Sequence, residues 1–212
     1  MDRFVFVEPE KYNKVYQELN VIIEKLHKIL KDSRVCTFQE VLIGSGKYGL
    51  VTYDIKGNKG FDFDFNLVIQ NLYDDFCDED GEFTAQDLKY EIMDALKEAL
   101  IGTNYKNPKD STSVLTIKVV DSNNSKILYG ADFAIIYEGS KIKHDKNTKA
   151  YIFEGRTSGS YNEIDKIEII KRDKHWDEFR TRYLEKKNAS LDKKSSSIRR
   201  ETTNDIWMKY YN

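Results

Sequence analysis

The feature that most constrains the fold of this chain is an alternation of aromatic and acidic residues, FDFDF, at positions 61–65. Successive side chains of a β-strand point to opposite faces of a sheet, so the three phenylalanines share one face and Asp62 and Asp64 share the other. The aromatic face requires a hydrophobic core. The two carboxylates then lie roughly 7 Å apart along the strand. Because like charges repel, the pattern indicates either a strand whose acids face water or a site where a cation binds them.

A glycine-serine turn precedes this strand. An apolar segment ends in Gly44, Ser45 and Gly46. Glycine permits positive φ angles and close approach of the backbone, and serine offers a hydroxyl group. Such a turn can hold a phosphate chain beside a metal pair. The combination favours the metal interpretation, since two Mg²⁺ ions about 3.5–4 Å apart commonly catalyse displacement at phosphorus.

A third acid lies in a later apolar segment. Asp132 is the only charged residue between Ile127 and Tyr137. A charge among apolar residues is costly unless it is paired, binds a metal or faces water from an edge strand. Together with Asp62 and Asp64, it predicts a triad of carboxylates on neighbouring strands.

Composition limits the classes of protein that fit. The chain has 212 residues, 40% of them hydrophobic and 13% aromatic, which predicts one folded domain or one domain with a small helical appendage. Its net charge of -2 gives no overall basic field for nucleic acid. Two cysteines and three widely separated histidines exclude a disulfide framework and make a zinc site an unfavourable interpretation.

The N-terminal segment is too acidic for a signal peptide, and no apolar run reaches membrane-spanning length. We therefore expect a soluble cytoplasmic protein with no membrane partner.

Hydrophobic periodicity and turn residues predict the order of elements in the first two thirds of the chain. Helices are expected at 9–32 and at 85–100, the second capped by Thr84. Strands are expected at 33–43, 60–70, 113–120 and 126–137, with a solvated connection at 71–82. A loop is expected at 44–60, in which a short strand at 50–53 is an open alternative.

The C-terminal third is more irregular. Positions 138–165 predict turns and polar strands, and the glycine- and serine-rich segment 155–160 favours a hairpin or loop over a second phosphate loop, because no helix pattern clearly follows it. A helix is expected at 176–188 with Trp176, Phe179 and Tyr183 inward. A final helix at 198–211 is expected to return Ile206, Trp207 and Tyr210 to the core.

In this order, Gly44-Ser45, Asp62-x-Asp64 and Asp132 resemble the DNA polymerase beta-like nucleotidyltransferase superfamily over roughly 8–137. The resemblance implies an α/β (α+β) fold with a small mixed, twisted sheet flanked by helices and a helical C-terminal part. Residues 1–165 would form the catalytic core and 166–212 a helical segment packed on it. The spacer between Ser45 and Asp62 is longer than is usual in the superfamily, and we expect a hairpin turn at 56–60 to absorb it.

The resemblance also implies an activity, the transfer of a nucleotidyl group from a nucleoside triphosphate (NTP), ATP included, to a hydroxyl acceptor with release of pyrophosphate. Asp62 and Asp64 would hold two Mg²⁺ or Mn²⁺ ions, and Asp132 would be the third metal ligand and help to activate the attacking hydroxyl. The triphosphate-binding residues implied are Gly44, Ser45, Lys47 and Lys186. Arg180, Arg182 and Lys187 of the segment 176–188 are further candidates, and for all of these basic side chains a solvated surface position is an open alternative.

The acceptor stays open. The leading helix and the segment WDEFRTRYLEKKN at 176–188 resemble the oligoadenylate and cyclic-dinucleotide synthase branch, which makes short or cyclic oligonucleotides. An RNA end or a protein hydroxyl is the alternative acceptor, as in nucleotidylating toxin–antitoxin enzymes, and antibiotic modification is a third. A nucleotide-binding module without turnover on the same fold is the non-enzymatic alternative.

Overall fold

The computed structural model describes residues 2–77, 83–111, 114–137, 142–143, 153–154 and 161–211. The strands are β1 (Phe4–Phe6), β2 (Cys36–Ile43), β3 (Thr52–Asp54), β4 (Phe61–Leu72), β5 (Phe83–Thr84), β6 (Lys109–Asp110), β7 (Val114–Asp121), β8 (Lys126–Tyr137), β9 (Ile142–Lys143) and β10 (Phe153–Glu154). The helices are α1 (Pro9–Asp32), α2 (Gly44–Tyr48), α3 (Ala85–Ala99), α4 (Tyr161–Arg172), α5 (Trp176–Ala189) and α6 (Ser195–Tyr210).

A mixed sheet with the strand order β2-β4-β8-β7-β6 forms the centre of the fold, and β10 also pairs with β8. β4 and β8 are parallel, whereas β2 runs antiparallel to β4 and β7 runs antiparallel to β8. Parallel neighbours need a long crossover connection, and the chain between β4 and β8 includes α3 and β7. The expected mixed α/β fold is confirmed.

The two faces of β4 differ as the FDFDF alternation predicts. Phe61, Phe63 and Phe65 are buried in the main core, with exposed fractions of 3%, 0% and 1%. α1 covers this face, and the ring of Tyr12 lies 4.9 Å from that of Phe63 between centroids. Each buried phenylalanine gains about 1.5–3 kcal/mol of transfer free energy relative to an exposed one. This gain fixes which face of β4 is outward, and the aspartates lie on it.

The bounds of α1 and the N-terminal cap of α3 agree with the sequence-based prediction. α1 has the predicted bounds, and Thr84 caps α3 by accepting a hydrogen bond from the backbone N–H of Asp87 at 3.1 Å. A side-chain cap of this kind is worth about 1 kcal/mol.

The prediction of a loop with a hairpin turn over 44–60 differs from the structure in two respects. Its first residues form the short helix α2, which ends at Gly49 with φ of 68°. The later strand β3 pairs with β1, not with β4, so the turn at 55–58 is not the expected hairpin. The long spacer is therefore occupied by a helical turn and by a strand that pairs with the N-terminal β1.

The C-terminal helices build a second, smaller core. Its buried members are Leu50, Ile167, Ile170, Phe179, Tyr183, Ile198 and Ile206. Leu50 follows α2, so the helical region packs directly against the chain that leaves the glycine-serine turn.

α4 was missed by the sequence analysis. It begins at Tyr161, directly after the segment 155–160, so the expectation that no helix follows this segment was wrong. The segment itself lies outside the described residues. Ile167 and Ile170 point inward, but charged residues surround them in sequence and hide the helical period. The boundary expected between 165 and 166 falls inside α4.

The burial of residues on the last helix, α6, agrees only in part with the prediction. Ile206 is fully buried and Trp207 is partly buried, stacking on Tyr211 with 4.5 Å between ring centroids. Tyr210, expected in the core, is 40% exposed, and its hydroxyl donates a hydrogen bond to Glu178 at 2.5 Å. Within the described ranges, none of the helices combines the length and the apolarity that crossing a bilayer requires.

Candidate active site

Three carboxylates lie on the face of the sheet opposite the phenylalanines. Asp64 of β4 lies directly opposite Asp132 of β8 in the parallel register, and Asp62 lies opposite Gly130. Residues paired in register on neighbouring strands point to the same face. The strand pairing therefore places the third acid beside the first two, although Asp132 is far from them in the sequence.

Two glycines make space for these carboxylates. Gly44 has φ of 62°, and a Cβ atom there would lie 2.2 Å from Oδ2 of Asp64. At Gly130 a Cβ atom would lie 2.7 Å from the carbonyl oxygen of Ile117 and 3.1 Å from Oδ1 of Asp62. The glycine-serine turn thus passes over Asp64 at a distance that only glycine permits.

The electrostatic state of the acids follows from their burial and, second, from their proximity. Removal from water, followed by the charges of Asp132 and Asp62, raises the pKa of Asp64 to about 6. The pKa of Asp62 is also raised, first by desolvation and then by Asp132, against a smaller opposing effect of Lys118. In the described ranges, the carboxylates of Asp62 and Asp64 make no side-chain hydrogen bond and no ion pair, although their backbones are paired in the sheet.

Carboxylate oxygens on one face are the donors that Mg²⁺ and Mn²⁺ prefer. A bound cation would offset the repulsion that raises the pKa of Asp64. The described part of the chain contains no cluster of three or more histidine, cysteine, aspartate or glutamate side chains spaced as metal ligands. The chemistry of the donors fits a divalent cation.

A cleft of about 380 Å³ lies beside the acids. One wall is formed by the sheet and the glycine-serine turn, and the other by the C-terminal helices. The lining residues are Gly44, Ser45, Leu50, Val51, Thr52, Gly60, Phe61, Asp62, Asp64, Tyr183, Lys187, Ser195, Ser196 and Arg199. Asp132 lies next to Asp64 on the neighbouring strand and does not line this cleft.

The helical wall contributes Lys187, one of the four basic candidates in the segment 176–188. Lys187 donates a hydrogen bond from Nζ to the hydroxyl of Ser195 at 2.8 Å. Burial lowers the pKa of Lys187 to about 8. Arg199 also lines the cleft, but its guanidinium is held by Glu163, with Nε 2.9 Å from the carboxylate. Lys187 is therefore the cation of this wall that has no carboxylate partner within the described residues.

The structure does not bring the two expected lysines into the cleft. Lys186 extends toward α6, where its Nζ lies 2.8 Å from Asp205 and 3.9 Å from Glu201. Lys47 is in α2 but is not a lining residue. Lys187 lies one helical turn after the inward-facing Tyr183, and this spacing is the sequence signal that it faces the cleft.

Comparison with known proteins gives matches to solved structures only. No family model and no curated protein matches the sequence. The Vibrio cholerae protein DncV in its GTP-bound form matches with a TM-score of 0.59 and 11% identity, covering 94% of this chain and 67% of that one. DncV, described as a cyclic AMP-GMP synthase, in complex with the linear intermediate 5′ pppA(3′,5′)pG matches with a TM-score of 0.58 and 12% identity, covering 94% and 68%. The chain has a nucleotidyltransferase fold.

This similarity confirms the fold that was expected from Gly44-Ser45 and the aspartates. At 11–12% identity it concerns the fold and not the activity. The chain spans about two thirds of the length of these DncV chains, and between 31% and 48% of several others that it matches.

Proposed function

We propose that this protein is a divalent-metal-dependent nucleotidyltransferase that transfers NMP from an NTP to a hydroxyl group and releases pyrophosphate. The observation that carries the proposal is the position of Asp62 and Asp64 beside the Gly44-Ser45 turn in one cleft. Acids that repel one another, a glycine-serine turn in the same cleft and a lysine without a carboxylate partner in the described ranges together match the charge pattern of a metal-bound triphosphate.

Each residue has a separate task in this proposal. Asp62, Asp64 and Asp132 hold two Mg²⁺ or Mn²⁺ ions, which when bound neutralise the charge that develops on the phosphoryl oxygens. The backbone at Gly44 and the hydroxyl of Ser45 hold the triphosphate on the sheet side. Lys187 approaches the same phosphates from the helical side, where it replaces Lys47 and Lys186 as the candidate cation.

The reaction that we propose is an in-line displacement at the α-phosphorus. An acceptor oxygen forms the new P–O bond, the bond to the bridging oxygen of the β-phosphate breaks, and pyrophosphate leaves. Asp132 accepts the proton of the attacking hydroxyl. Positioning of the two reactants supplies much of the rate enhancement, because little covalent chemistry is required of the protein.

The acceptor that we favour is the hydroxyl of a second nucleotide, giving a short or cyclic oligonucleotide. The fold similarity to DncV supports this choice. Ion pairs in the helical region also support it, since Arg182 and Lys186 of α5, and Lys193 of the connection before α6, each lie within reach of an acid. Paired charges of this kind leave little positive field for an RNA backbone.

Incubation of the protein with each of the four radiolabelled NTPs, singly and mixed, with Mg²⁺ or Mn²⁺, tests the proposal. Released pyrophosphate is measured and the products are separated by thin-layer chromatography. Asp64→Asn is the negative control, and Asp94→Asn, an exposed acid on α3, is the matched control.

Pyrophosphate with a new labelled species of low mass would support nucleotide–nucleotide transfer. Label that enters RNA or polypeptide only after these are added would instead identify the alternative acceptors. Metal-dependent NTP binding with no turnover under any of these conditions would contradict enzymatic activity and favour the nucleotide-binding module.

A further inference from the structure

Thr116 of β7 makes a specific contact with the third acid. It lies opposite Asp132 in the antiparallel pair of β7 and β8. Its hydroxyl donates a hydrogen bond to Oδ1 of Asp132. No other hydrogen bond or ion pair reaches the Asp132 carboxylate from the residues that the structure describes. Thr116 is therefore the one side chain in those ranges that fixes how this carboxylate is turned.

The surroundings of Thr116 hold its hydroxyl in place. The residues on either side, Leu115 and Ile117, are fully buried in the main core, so the backbone of β7 cannot shift easily at this point. Threonine is branched at Cβ, which restricts χ1 in a strand. The hydroxyl is pre-positioned before any ligand arrives, and the hydrogen bond leaves Oδ2 of Asp132 available on the other side of the carboxylate.

The packing of the strand does not require a hydroxyl here. A valine has nearly the same shape as threonine and would be accommodated by the same neighbours. The hydroxyl of Thr116 has its hydrogen-bond partner on a carboxylate that lies directly opposite Asp64. Groups that hydrogen-bond a metal-ligating carboxylate orient it, and their loss commonly weakens metal binding or activity 10- to 100-fold.

We propose that Thr116 is a positioning residue that orients the Asp132 carboxylate for divalent-metal binding. The inference rests on the proposed function for its catalytic meaning, but its effect on metal binding can be measured without turnover. Thr116 itself touches neither substrate nor metal. Its hydroxyl holds Oδ1 and thereby directs the remaining oxygen toward the site shared with Asp64.

The experiment compares Thr116→Val and Thr116→Ala, which lack the hydroxyl, with Thr116→Ser, which keeps it. Thr181→Val is the matched control, since Thr181 is on α5 and its hydroxyl donates to the carbonyl of Asp177 away from the cleft. Mn²⁺ binding to the full chain is followed by the electron paramagnetic resonance signal of free Mn²⁺. Thermal unfolding verifies that each variant is folded, and pyrophosphate release is titrated with Mg²⁺ and with NTP.

We expect the two variants without a hydroxyl to bind Mn²⁺ about 10-fold more weakly and to need correspondingly more Mg²⁺ for turnover. KM for the NTP is expected to stay within about 2-fold, because the triphosphate is held by other residues, whereas kcat falls at fixed Mg²⁺. Thr116→Ser and Thr181→Val are expected to resemble the wild type.

Wild-type Mn²⁺ affinity in both hydroxyl-free variants would overturn the inference. So would a Thr116→Ser variant as defective as Thr116→Val, or a wild-type protein that binds no Mn²⁺. A wild type that binds Mn²⁺ but transfers no nucleotide would contradict the proposed function alone, and the Mn²⁺ comparison would still decide the role of Thr116.

Discussion

Asp64 and Asp132 lie directly opposite one another on the parallel strands β4 and β8, and the backbone of Gly44 packs against the Asp64 carboxylate. Desolvation, followed by the repulsion between these acids, raises the pKa of Asp64 to about 6. The hydrophobic core on the opposite face holds the strands in this register against the repulsion. An arrangement that costs stability in the isolated protein but gathers charge at a cleft is typical of a functional site.

Asp64→Asn is predicted to abolish metal-dependent pyrophosphate release while leaving the protein folded. The substitution removes a metal ligand of the proposed site and also removes one of two repelling charges, so we expect activity to fall at least about 100-fold. Turnover assays and circular dichroism of the same preparations make the measurement. Asp94→Asn should retain wild-type activity, and an Asp64→Asn variant with full activity would remove Asp64 from the mechanism.

The same variant has a pH-dependent effect on stability. The folded chain binds the Asp64 proton more tightly than the unfolded chain, because the pKa rises from 3.8 to about 6 on folding. Between these values the folded state carries more protons, so this group's contribution to stability falls as the pH rises and is fully unfavourable above about pH 6.

We therefore compare the free energy of unfolding of Asp64→Asn with that of the wild type. The advantage of the variant is expected to grow by roughly 1–3 kcal/mol as the pH is raised from about 4 to about 7. Urea denaturation of both proteins at the two pH values, in a buffer with a chelator, measures this difference. Groups that titrate over the same interval without interacting with Asp64 cancel in the comparison. A difference that does not change with pH would show that Asp64 titrates normally.

The fold was predictable to the extent that local periodicity determines it. The period of two in FDFDF and the apolar stripe of α1 each reflect one buried face, and both elements form where the pattern indicates. α4 was missed because its two inward isoleucines, Ile167 and Ile170, lie in a strongly charged segment. α2 was missed because a one-turn helix that contains two glycines has no periodicity to detect.

The candidate site was predictable only for residues with an unusual local sequence. Asp132 stands out because it is a lone charge among apolar residues. Thr116 does not stand out, since threonine is common in strands and its contact with Asp132 depends on the pairing of β7 with β8. The choice between Lys186 and Lys187 depends on which side of α5 faces the cleft, and that follows from tertiary packing around Tyr183.

Gly44→Ala is predicted to destabilise the protein by about 1–3 kcal/mol and to lower turnover at least about 10-fold. The strain of φ at 62° contributes to the destabilisation, and the new Cβ atom displaces the Asp64 carboxylate, which causes the loss of activity. Thermal unfolding and pyrophosphate release are measured on the same samples.

Gly49→Ala is the matched control for this prediction. Gly49 has a similar φ of 68°, but a Cβ atom there meets nothing within 4 Å. It should lose about 1–2 kcal/mol of stability and keep its activity. Equal activity in the two variants would mean that the close approach of Gly44 to Asp64 has no role in the reaction.

Lys187→Ala is predicted to raise KM for the NTP about 10-fold with a smaller effect on kcat. Lys187 lines the cleft, whereas the adjacent Lys186 is ion-paired with Asp205 outside it, so Lys186→Ala is the control and should leave KM unchanged. A charge-assisted contact with phosphate is worth about 1.5–3 kcal/mol, and its lower end corresponds to this change in KM. Equal KM values in the two variants would remove Lys187 from the triphosphate site.

Lys187 also gives the proposed site a pH dependence of its own. Burial lowers the pKa of Lys187 to about 8, so the side chain loses its proton as the pH rises through that value. Because a triphosphate binds the protonated form more tightly, NTP affinity should fall between pH 7 and pH 9. Lys187→Arg should bind with nearly constant affinity over this range, since a guanidinium stays charged. Calorimetric titration of both proteins with NTP and a divalent metal makes the comparison, and parallel pH profiles would place the titrating group elsewhere.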